Sequence, residues 1–269
     1  MVRNPAVAGQ FYSGSKESLA KEVRGLIDET AGREDAIGVV SPHAGYVYSG
    51  LVAGSTLSSI KSKSTYIILG PNHTGLGSPF SISVSDSWKT PLGEVSVSKA
   101  LSDKILKNCP DIKEDELAHI HEHSIEVQLP FLQALQKDLT FVPIVISLGS
   151  LETYRNIGEG LAKSVKELKI EKDITIIASS DMTHYESRET AKAKDSKAID
   201  AILKLDEKSL VERIEKFDIS MCGFAPAAIM IVAAKKLGAA SAHLIKYQTS
   251  GEVSGDYSSV VGYAGIIIS

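Results

Sequence analysis

The stretch Ala36-Ile-Gly-Val-Val-Ser-Pro-His-Ala-Gly45 places an apolar run directly before a short polar cluster that contains a histidine. The run is short, apolar and not alternating, which is typical of a strand buried on both faces. The same arrangement recurs in residues 66–75 and 174–184. Three such strands predict an α/β sheet, with polar residues placed where each strand ends.

Helical periodicity fills the intervals between the predicted strands. Helices are predicted at about residues 15–32, 49–60, 98–108, 124–137, 151–168, 188–204, 207–216 and 225–237, and further strands at 140–146, 242–247 and 259–268. This alternation predicts a central mixed sheet with helices on both faces. No linker, repeat or low-complexity tract divides the 269 residues, so we expect one domain over residues 1–269.

Composition excludes several classes of partner. The chain has 29 basic and 33 acidic side chains, a formal charge of -4, and its basic residues are dispersed, so a nucleic-acid partner is not expected. The N-terminus lacks the apolar core of a signal peptide, and no apolar run approaches the ~18 residues of a membrane span. We therefore expect a cytoplasmic protein without a membrane partner.

The polar clusters carry the candidate chemistry. Ligands of open α/β sheets bind beyond the carboxyl ends of the strands, so His43, His73, Asp181 and His184 are expected near one another. The two loop histidines predict a metal or catalytic pair, although either alone would be an ordinary loop residue. Asp181 and His184 could form an acid/base pair, while Asp181 could instead cap a helix. Asn72 is either a turn residue or a donor that supports the ligands.

Three alternating histidines in His119-Ile-His-Glu-His123 look like a dense metal site. A solvated loop shows the same pattern, and an amphipathic run follows directly, so we expect part of this cluster to begin a helix. Pro130 should kink that helix or shift its start. A supporting position for His123 beside the site is the alternative.

The two cysteines, Cys109 and Cys222, form neither a disulfide framework nor a CxxC clip. Cys109 is expected to be a small packed residue. Cys222 lies just before the apolar segment 225–234, and a cysteine at a helix N-terminus has a lowered pKa. Cys222 is therefore a candidate metal ligand or nucleophile, with a buried structural role as the alternative.

At these residues the sequence resembles the Memo family, over nearly its whole length. The matching elements are Ala8-Gly-Gln-Phe-Tyr12, Pro42-His-Ala-Gly-Tyr46, Tyr48-Ser-Gly50, Gly70-Pro-Asn-His73, Glu122-His-Ser-Ile-Glu126, Ser180-Asp-Met-Thr-His-Tyr185, Cys222-Gly223 and Ser258-Ser-Val-Val-Gly-Tyr263. The resemblance implies a fold similar to class III extradiol dioxygenases, which hold Fe(II) with two histidines and a glutamate. It implies His43, His73 and Cys222 as metal ligands, with Asp181 and His184 lining the pocket.

Two departures limit what the resemblance implies. A thiolate replaces the dioxygenase carboxylate, which favours copper or iron of altered potential, and ring cleavage does not follow from the fold. The segment Gly223-Phe-Ala-Pro226 differs from animal members, which carry Arg-His before the proline. Animal members are associated with receptor tyrosine kinase signalling and phosphotyrosine peptides, which is not expected to be the native role here. Similarity to prokaryotic members implies AMMECR-type and radical SAM protein partners.

These observations predict a metal-dependent oxidoreductase. Fe(II) or Cu(I), with Zn(II) less favoured, would be held by His43, His73 and Cys222, and His184 would act as general acid/base oriented by Asp181. The substrate is an unknown small molecule or peptide. A binding module that recognises a peptide or an anionic ligand in the same cleft is the alternative, and a zinc hydrolase is the third hypothesis.

Overall fold

The computed structural model describes residues 1–269 and contains twelve strands and nine helices. The strands are β1 (Val2–Arg3), β2 (Gly38–Ser41), β3 (Thr65–Pro71), β4 (Phe80–Ile82), β5 (Ser87–Thr90), β6 (Gly93–Val97), β7 (Lys113–Glu114), β8 (Thr140–Ile146), β9 (Ile174–Ser179), β10 (His184–Glu186), β11 (Ala242–Thr249) and β12 (Val260–Ile268). The helices are α1 (Lys16–Leu26), α2 (Tyr46–Ser58), α3 (Lys99–Asn108), α4 (Leu129–Leu135), α5 (Leu151–Leu168), α6 (Arg188–Leu203), α7 (Glu207–Lys216), α8 (Phe224–Lys236) and α9 (Gly251–Ser254).

One mixed sheet runs through the molecule in the order β1-β5-β6-β8-β3-β9-β2-β12-β10. Strands β8, β3, β9 and β2 are parallel, while β12 is antiparallel to β2. The register pairs Ser41 with Ser179 and Leu69 with Ala178. The carboxyl ends of β2, β3 and β9 therefore lie side by side at one edge, as the sequence predicts.

Two apolar clusters cover the faces of this sheet. Along β3, Ile67 and Leu69 pack into the cluster under α3 and α5 to α8, while Tyr66 and Ile68 pack into the cluster under α1, α2 and α4. Successive side chains of a strand point to opposite faces, so an unbroken apolar run is what a strand covered on both sides requires. The predicted mixed sheet with helices on both faces is confirmed.

The predicted helix over residues 124–137 is broken, which corrects the expectation for this segment. A 3-10 turn at Glu126–Gln128 precedes α4, and Pro130 lies in the first turn of that helix. Proline has no N–H to donate, so it is tolerated in the first helical turn and sets the start there. Helix α1, capped by Ser15, ends at Leu26, short of the predicted end near residue 32.

Several short strands escape prediction because they have only two to five residues and little apolar character. One of them, β10, begins at His184, and the next helix, α6, begins at Arg188 with Ser187 as its cap. Asp181 therefore does not cap a helix, and that alternative is wrong. No helix combines the length and apolar character needed to cross a bilayer.

A buried ion pair fixes the loop before α4. Arg3 pairs with Glu126, donates to the backbone oxygen of His119 at 3.0 and 3.1 Å, and donates to that of Glu122 at 2.6 Å. Glu126 also accepts from the Tyr12 hydroxyl at 2.6 Å. Buried charges are tolerated when all their hydrogen-bonding capacity is used. The N-terminal segment is thus tied to the loop that delivers Glu122 and His123 to the strand ends.

Candidate metal centre

The three predicted ligands meet at the carboxyl edge of the sheet. One ligand atom from each of His43, His73 and Cys222 lies within 4.8 Å of the other two. Cys222 Sγ is 3.1 Å from His43 Nε2, and the two imidazole centroids are 5.1 Å apart. His43 follows β2, His73 follows β3, and Cys222 precedes α8, so residues remote in sequence converge through the topology of the sheet.

The protonation of His43 follows from its neighbours. Its Nδ1 lies 2.9 Å from Ser179 Oγ, and that hydroxyl donates its single proton to the Ser124 backbone oxygen at 2.6 Å. Ser179 Oγ therefore accepts from His43 Nδ1–H, as it accepts from Gln128 Nε2 at 2.9 Å. The proton on Nδ1 leaves the Nε2 lone pair facing Cys222 Sγ.

Glu122 fixes His73 in the same tautomer. The fully buried carboxylate accepts from the His73 backbone N–H at 2.7 Å and from Nδ1 at 3.0 Å. It also accepts from the backbone N–H groups of His123 at 2.9 Å and Ser124 at 2.8 Å. Burial alone would raise the pKa of Glu122, but the hydrogen bond and charge of His73 lower it to about 2. A carboxylate behind an imidazole orients the other ring nitrogen toward a metal.

The two imidazoles differ in their affinity for protons. Burial holds the pKa of His43 well below its ordinary value, and the neighbouring histidines add to this effect. Burial also lowers the pKa of His73, but Glu122 outweighs it, so the pKa of His73 is raised. His43 is therefore neutral and its Nε2 lone pair is available at neutral pH, as a metal ligand must be.

His123 stacks on His73, with ring centroids 4.7 Å apart and planes at 19°, and its centroid is 5.5 Å from that of His43. His73, Glu122 and His123 form a second group whose geometry could hold a metal. Glu122, however, already accepts four hydrogen bonds. The carboxylate therefore orients His73 and the loop, and is poorly placed to act as a ligand itself.

The three alternating histidines do not share one face. His119 is buried against Trp88 at a centroid distance of 5.8 Å, His121 is exposed, and His123 lies beside the ligands. The expectation that part of this cluster begins a helix is wrong, because no residue from 119 to 123 is helical and the 3-10 turn begins only at Glu126.

Gly223 allows Cys222 to approach β9. A Cβ at position 223 would lie 2.3 Å from the Ser179 backbone oxygen and 2.4 Å from Ser180 Cβ, so only glycine fits. The Gly223 N–H donates to Ser180 Oγ at 3.0 Å, and the Asp181 N–H donates to Cys222 Sγ at 3.3 Å. The thiol is therefore held by a backbone contact as well as by packing.

The predicted lowering of the Cys222 pKa is wrong for the metal-free chain. Burial, with the nearby charge of Asp181, raises the pKa of the thiol well above its ordinary value. Helix α8 begins at Phe224 with Gly223 as its cap, so Cys222 precedes the residues whose free N–H groups would stabilise a thiolate. Metal binding at this cysteine must displace its proton.

Asp181 and His184 lie near the ligands but are not bonded to each other. Asp181 Oδ1 accepts from the backbone N–H groups of His43 at 2.8 Å and Ala44 at 3.3 Å, and burial raises the pKa of its carboxyl to about 6. His184 Nδ1 lies 2.9 Å from the Ser220 backbone oxygen, and its backbone N–H donates to Ser220 Oγ. Ser220, not Asp181, therefore orients the His184 ring and places the proton on Nδ1.

Asn72 uses its side chain within its own loop. Its Oδ1 accepts from Thr74 Oγ1 and the Gly75 N–H, both at 2.9 Å, and its Nδ2 donates to the Leu76 oxygen at 2.9 Å. These contacts form a turn, and the side chain makes no hydrogen bond to His43, His73 or Cys222.

Sequence reasoning missed the roles of Ser179, Gln128 and Glu122. Gln128 accepts from Ser41 Oγ at 2.8 Å and donates to the Pro42 oxygen at 2.9 Å, which joins the ends of β2 and β9 to the loop before α4. The available signal was the presence of Glu and Gln inside the apolar run that begins at Ile125. Polar residues in a buried run need partners. Glu126 finds them in Arg3 and Tyr12, and Gln128 finds them in Ser41, Pro42 and Ser179, next to the His43 loop.

Comparisons with known proteins give matches over nearly the whole chain. The family model described as "Memo-like protein" matches residues 3–267. Relatives named "MEMO1 family protein" include one from Methanopyrus kandleri, 43% identical over 281 residues, and one from Methanosarcina mazei, 46% identical over 269 residues. Each alignment covers 99% of this chain and 99% of the relative.

A solved structure shares the fold at much lower identity. The crystal structure of an uncharacterized protein from Escherichia coli K12 matches with a TM-score of 0.57 and 12% identity, covering 86% of this chain and 98% of that one. The fold similar to class III extradiol dioxygenases is confirmed. The family model and the relatives match nearly the whole length of the chain, which therefore belongs to the Memo family.

Proposed function

We propose that this protein is a metal-dependent oxidoreductase that binds Fe(II) or Cu(I) through His43, His73 and Cys222. The observation that carries the proposal is the matched tautomers of the two imidazoles. Ser179 and Glu122 each engage Nδ1, so both Nε2 atoms are left for one shared centre with Cys222 Sγ. Two oriented imidazoles and a thiol on three different loops are costly to assemble without a common ligand.

The donor set suits a soft or borderline transition metal. Sulfur and imidazole nitrogen are preferred by copper, iron and zinc, whereas carboxylate-rich sites suit harder cations. Three protein ligands leave coordination positions open, as catalytic sites require. The bound metal would supply electron transfer and polarisation of a substrate oxygen.

Asp181 and His184 are proposed to handle protons. The Asp181 carboxyl, with a pKa raised to about 6, is closer to neutrality than an ordinary aspartate. A general acid or base is most effective when its pKa lies near the working pH. His184 is partly exposed and carries its proton on Nδ1, so its Nε2 can accept one.

Two other functions use the same cleft. Zn(II) would also accept two imidazoles and a thiolate, which keeps a zinc hydrolase as an outcome of the test. Recognition of an anionic peptide is less favoured, because the His43 and Ala44 amides that could bind an anion already donate to Asp181.

Anaerobic titration of the metal-stripped protein with Fe(II), Cu(I) and Zn(II) tests the proposal. We expect stoichiometric binding that falls at least tenfold in Cys222→Ser and His43→Ala, since each loses a ligand. His121→Ala, an exposed histidine, and Cys109→Ser, the other cysteine, are matched controls that should bind as the wild type does. Equal affinity in all five proteins would refute the ligand assignment, and tight Zn(II) binding without redox activity would favour the hydrolase.

AMMECR-type and radical SAM proteins are retained as proposed partners on the resemblance alone. Co-purification of the three proteins from one expression host tests this. Elution of this chain separately from both partners would count against the assembly.

A further inference from the structure

Tyr263 differs from every other buried tyrosine. In the other four the hydroxyl hydrogen-bonds within the chain, joining Tyr12 to Glu126, Tyr46 to Val127, Tyr66 to Lys63 and Tyr154 to Gly149. Tyr263 is 2% exposed, yet its hydroxyl has no hydrogen-bond partner in the chain. The hydroxyl oxygen is not completely enclosed by protein atoms. Buried tyrosine hydroxyls normally find a partner. The small exposed part of this residue therefore includes its oxygen.

The backbone pairing of β12 places Tyr263 beside the Asp181 loop. Strand β12 pairs antiparallel with β2, Ile266 opposite Val40 and Ile267 opposite Val39. Further along β12, Gly262 accepts a hydrogen bond from the Met182 N–H at 2.8 Å and donates its own N–H to the Thr183 oxygen at 2.9 Å. Tyr263 therefore lies beside the loop that carries Asp181, and Asp181 in turn accepts from the His43 N–H.

The alternation of side chains along β12 shows on which face of the sheet the Tyr263 ring lies. Ile267 packs in the cluster under α2, and Gly265 faces Thr56 of α2. Tyr263 shares this face, and its cross-strand partner Gln248 donates to the Tyr48 oxygen at 2.8 Å, so the ring lies toward the first turn of α2. The ring belongs to neither apolar cluster, although it is buried.

The phenol remains protonated in this position. Burial raises the pKa of Tyr263 well above its ordinary value, and the nearby Asp181, Tyr48 and Tyr185 raise it further. A protonated phenol that has no partner in the chain is a hydrogen-bond donor available to a bound molecule.

We propose that Tyr263 is a ligand-contacting residue whose Oη–H donates a hydrogen bond to an anionic oxygen of the molecule bound beside His43. The inference deepens the proposed function and rests on it for the metal. It names the substrate class as a compound with a phenolate or carboxylate oxygen, placed between the metal ligands and the start of α2.

Stability provides the first test, and it needs no substrate. Tyr263→Phe removes a hydroxyl without a partner, so its free energy of unfolding should equal that of the wild type or exceed it. Tyr12→Phe removes a hydroxyl bonded to the buried Glu126 and should unfold more readily. A loss in Tyr263→Phe as large as that in Tyr12→Phe would show a structural partner for the hydroxyl and would overturn the proposal.

Probe binding is the second test, with 4-nitrocatechol for phenolate and 4-nitrobenzoate for carboxylate, titrated spectroscopically into Fe(II)-loaded protein. We expect Tyr263→Phe to bind the matching probe about tenfold more weakly, with unchanged Fe(II) affinity, because a hydrogen bond to a charged oxygen is lost. Tyr185→Phe, an exposed neighbour, should bind as the wild type does. The probe that is affected identifies phenolate or carboxylate as the oxygen source.

Three results would count against the assignment or the function. Equal probe affinity in Tyr263→Phe and wild type overturns the role of Tyr263 while the metal-binding proposal stands. Failure of both probes to bind the wild type overturns the oxyanion class. Failure of the wild type to bind metal overturns the proposed function, and the same probe comparison on metal-free protein then decides the role of Tyr263.

Discussion

Glu122→Gln is the substitution that tests the site most directly. Glutamine keeps the shape of glutamate but replaces one carboxylate oxygen by an NH₂ group. In the native chain Oε1 accepts three N–H donors and Oε2 accepts the His73 backbone N–H. Whichever way the amide is turned, at least one donor faces another donor, and a buried N–H is left without an acceptor.

The magnitude follows from the pKa of Glu122, which lies at about 2 against an ordinary value of 4.5. At 1.36 kcal/mol per pKa unit, the folded state favours the charged carboxylate by about 3 kcal/mol. We therefore expect Glu122→Gln to lower the free energy of unfolding by about 3 kcal/mol. The same change should weaken metal binding by about 10- to 100-fold, because His73 loses the group that orients it.

The pH dependence has a defined sign. The folded pKa of Glu122 is depressed, so its contribution is complete above pH 4.5 and is lost as the pH falls toward 2. The folded pKa of His73 is raised, so its contribution is complete below pH 6.5 and is lost as the pH rises through that folded value. The pair should stabilise the metal-free protein most between pH 4.5 and 6.5.

Urea unfolding of metal-stripped wild type and Glu122→Gln across this pH range is the assay. Glu116→Gln is a matched control, since Glu116 also accepts several hydrogen bonds, from Ser83, Val84 and Ser85, but has no contact with the ligands. The control should lose stability and keep its metal affinity. A Glu122→Gln protein as stable as the wild type, with equal metal affinity, would refute the role assigned to this carboxylate.

Two further substitutions have defined outcomes. Gly223→Ala should weaken metal binding and lower the free energy of unfolding by about 1–3 kcal/mol, because the added Cβ would collide with Ser179. Gly32→Ala, which has open space around it, should change neither quantity. Urea unfolding measures the stability of both variants, and metal titration measures their affinity. His119 has two ring nitrogens without a hydrogen-bond partner, and burial lowers its pKa to about 4. Because the unfolded chain takes up this proton more readily, His119 should destabilise the folded protein as the pH falls from 6.5 toward 4. His119→Phe should flatten that part of the stability profile, and a loss of stability at neutral pH would show an unrecognised partner.

The strand ends were predictable because buried strands and the turns after them have recognisable local sequence patterns. Apolar runs followed by Gly, Pro and Asn placed His43 and His73 at one edge before any contact was known. Glu122 could not be assigned this way, because its partner His73 is 49 residues away in sequence and the contact depends on the path of the intervening loop. Likewise, the three alternating histidines around His121 obey no local period once the chain turns between them.

Cys222 shows why a local rule fails at such a site, and the failure bears on its chemistry. Sequence reasoning treated the cysteine as part of a helix N-terminus, which lowers a thiol pKa. In the structure the close packing of Gly223 on β9 leaves Cys222 partly buried, and burial of the thiol raises its pKa. The thiolate is the nucleophile, so a thiol with a raised pKa is a poor nucleophile at neutral pH. The positive charge of a bound metal would stabilise the thiolate, which burial disfavours, and the metal would displace the thiol proton on binding. The raised pKa therefore argues against a nucleophile at Cys222, and under the proposed function the affinity for the metal should increase with pH.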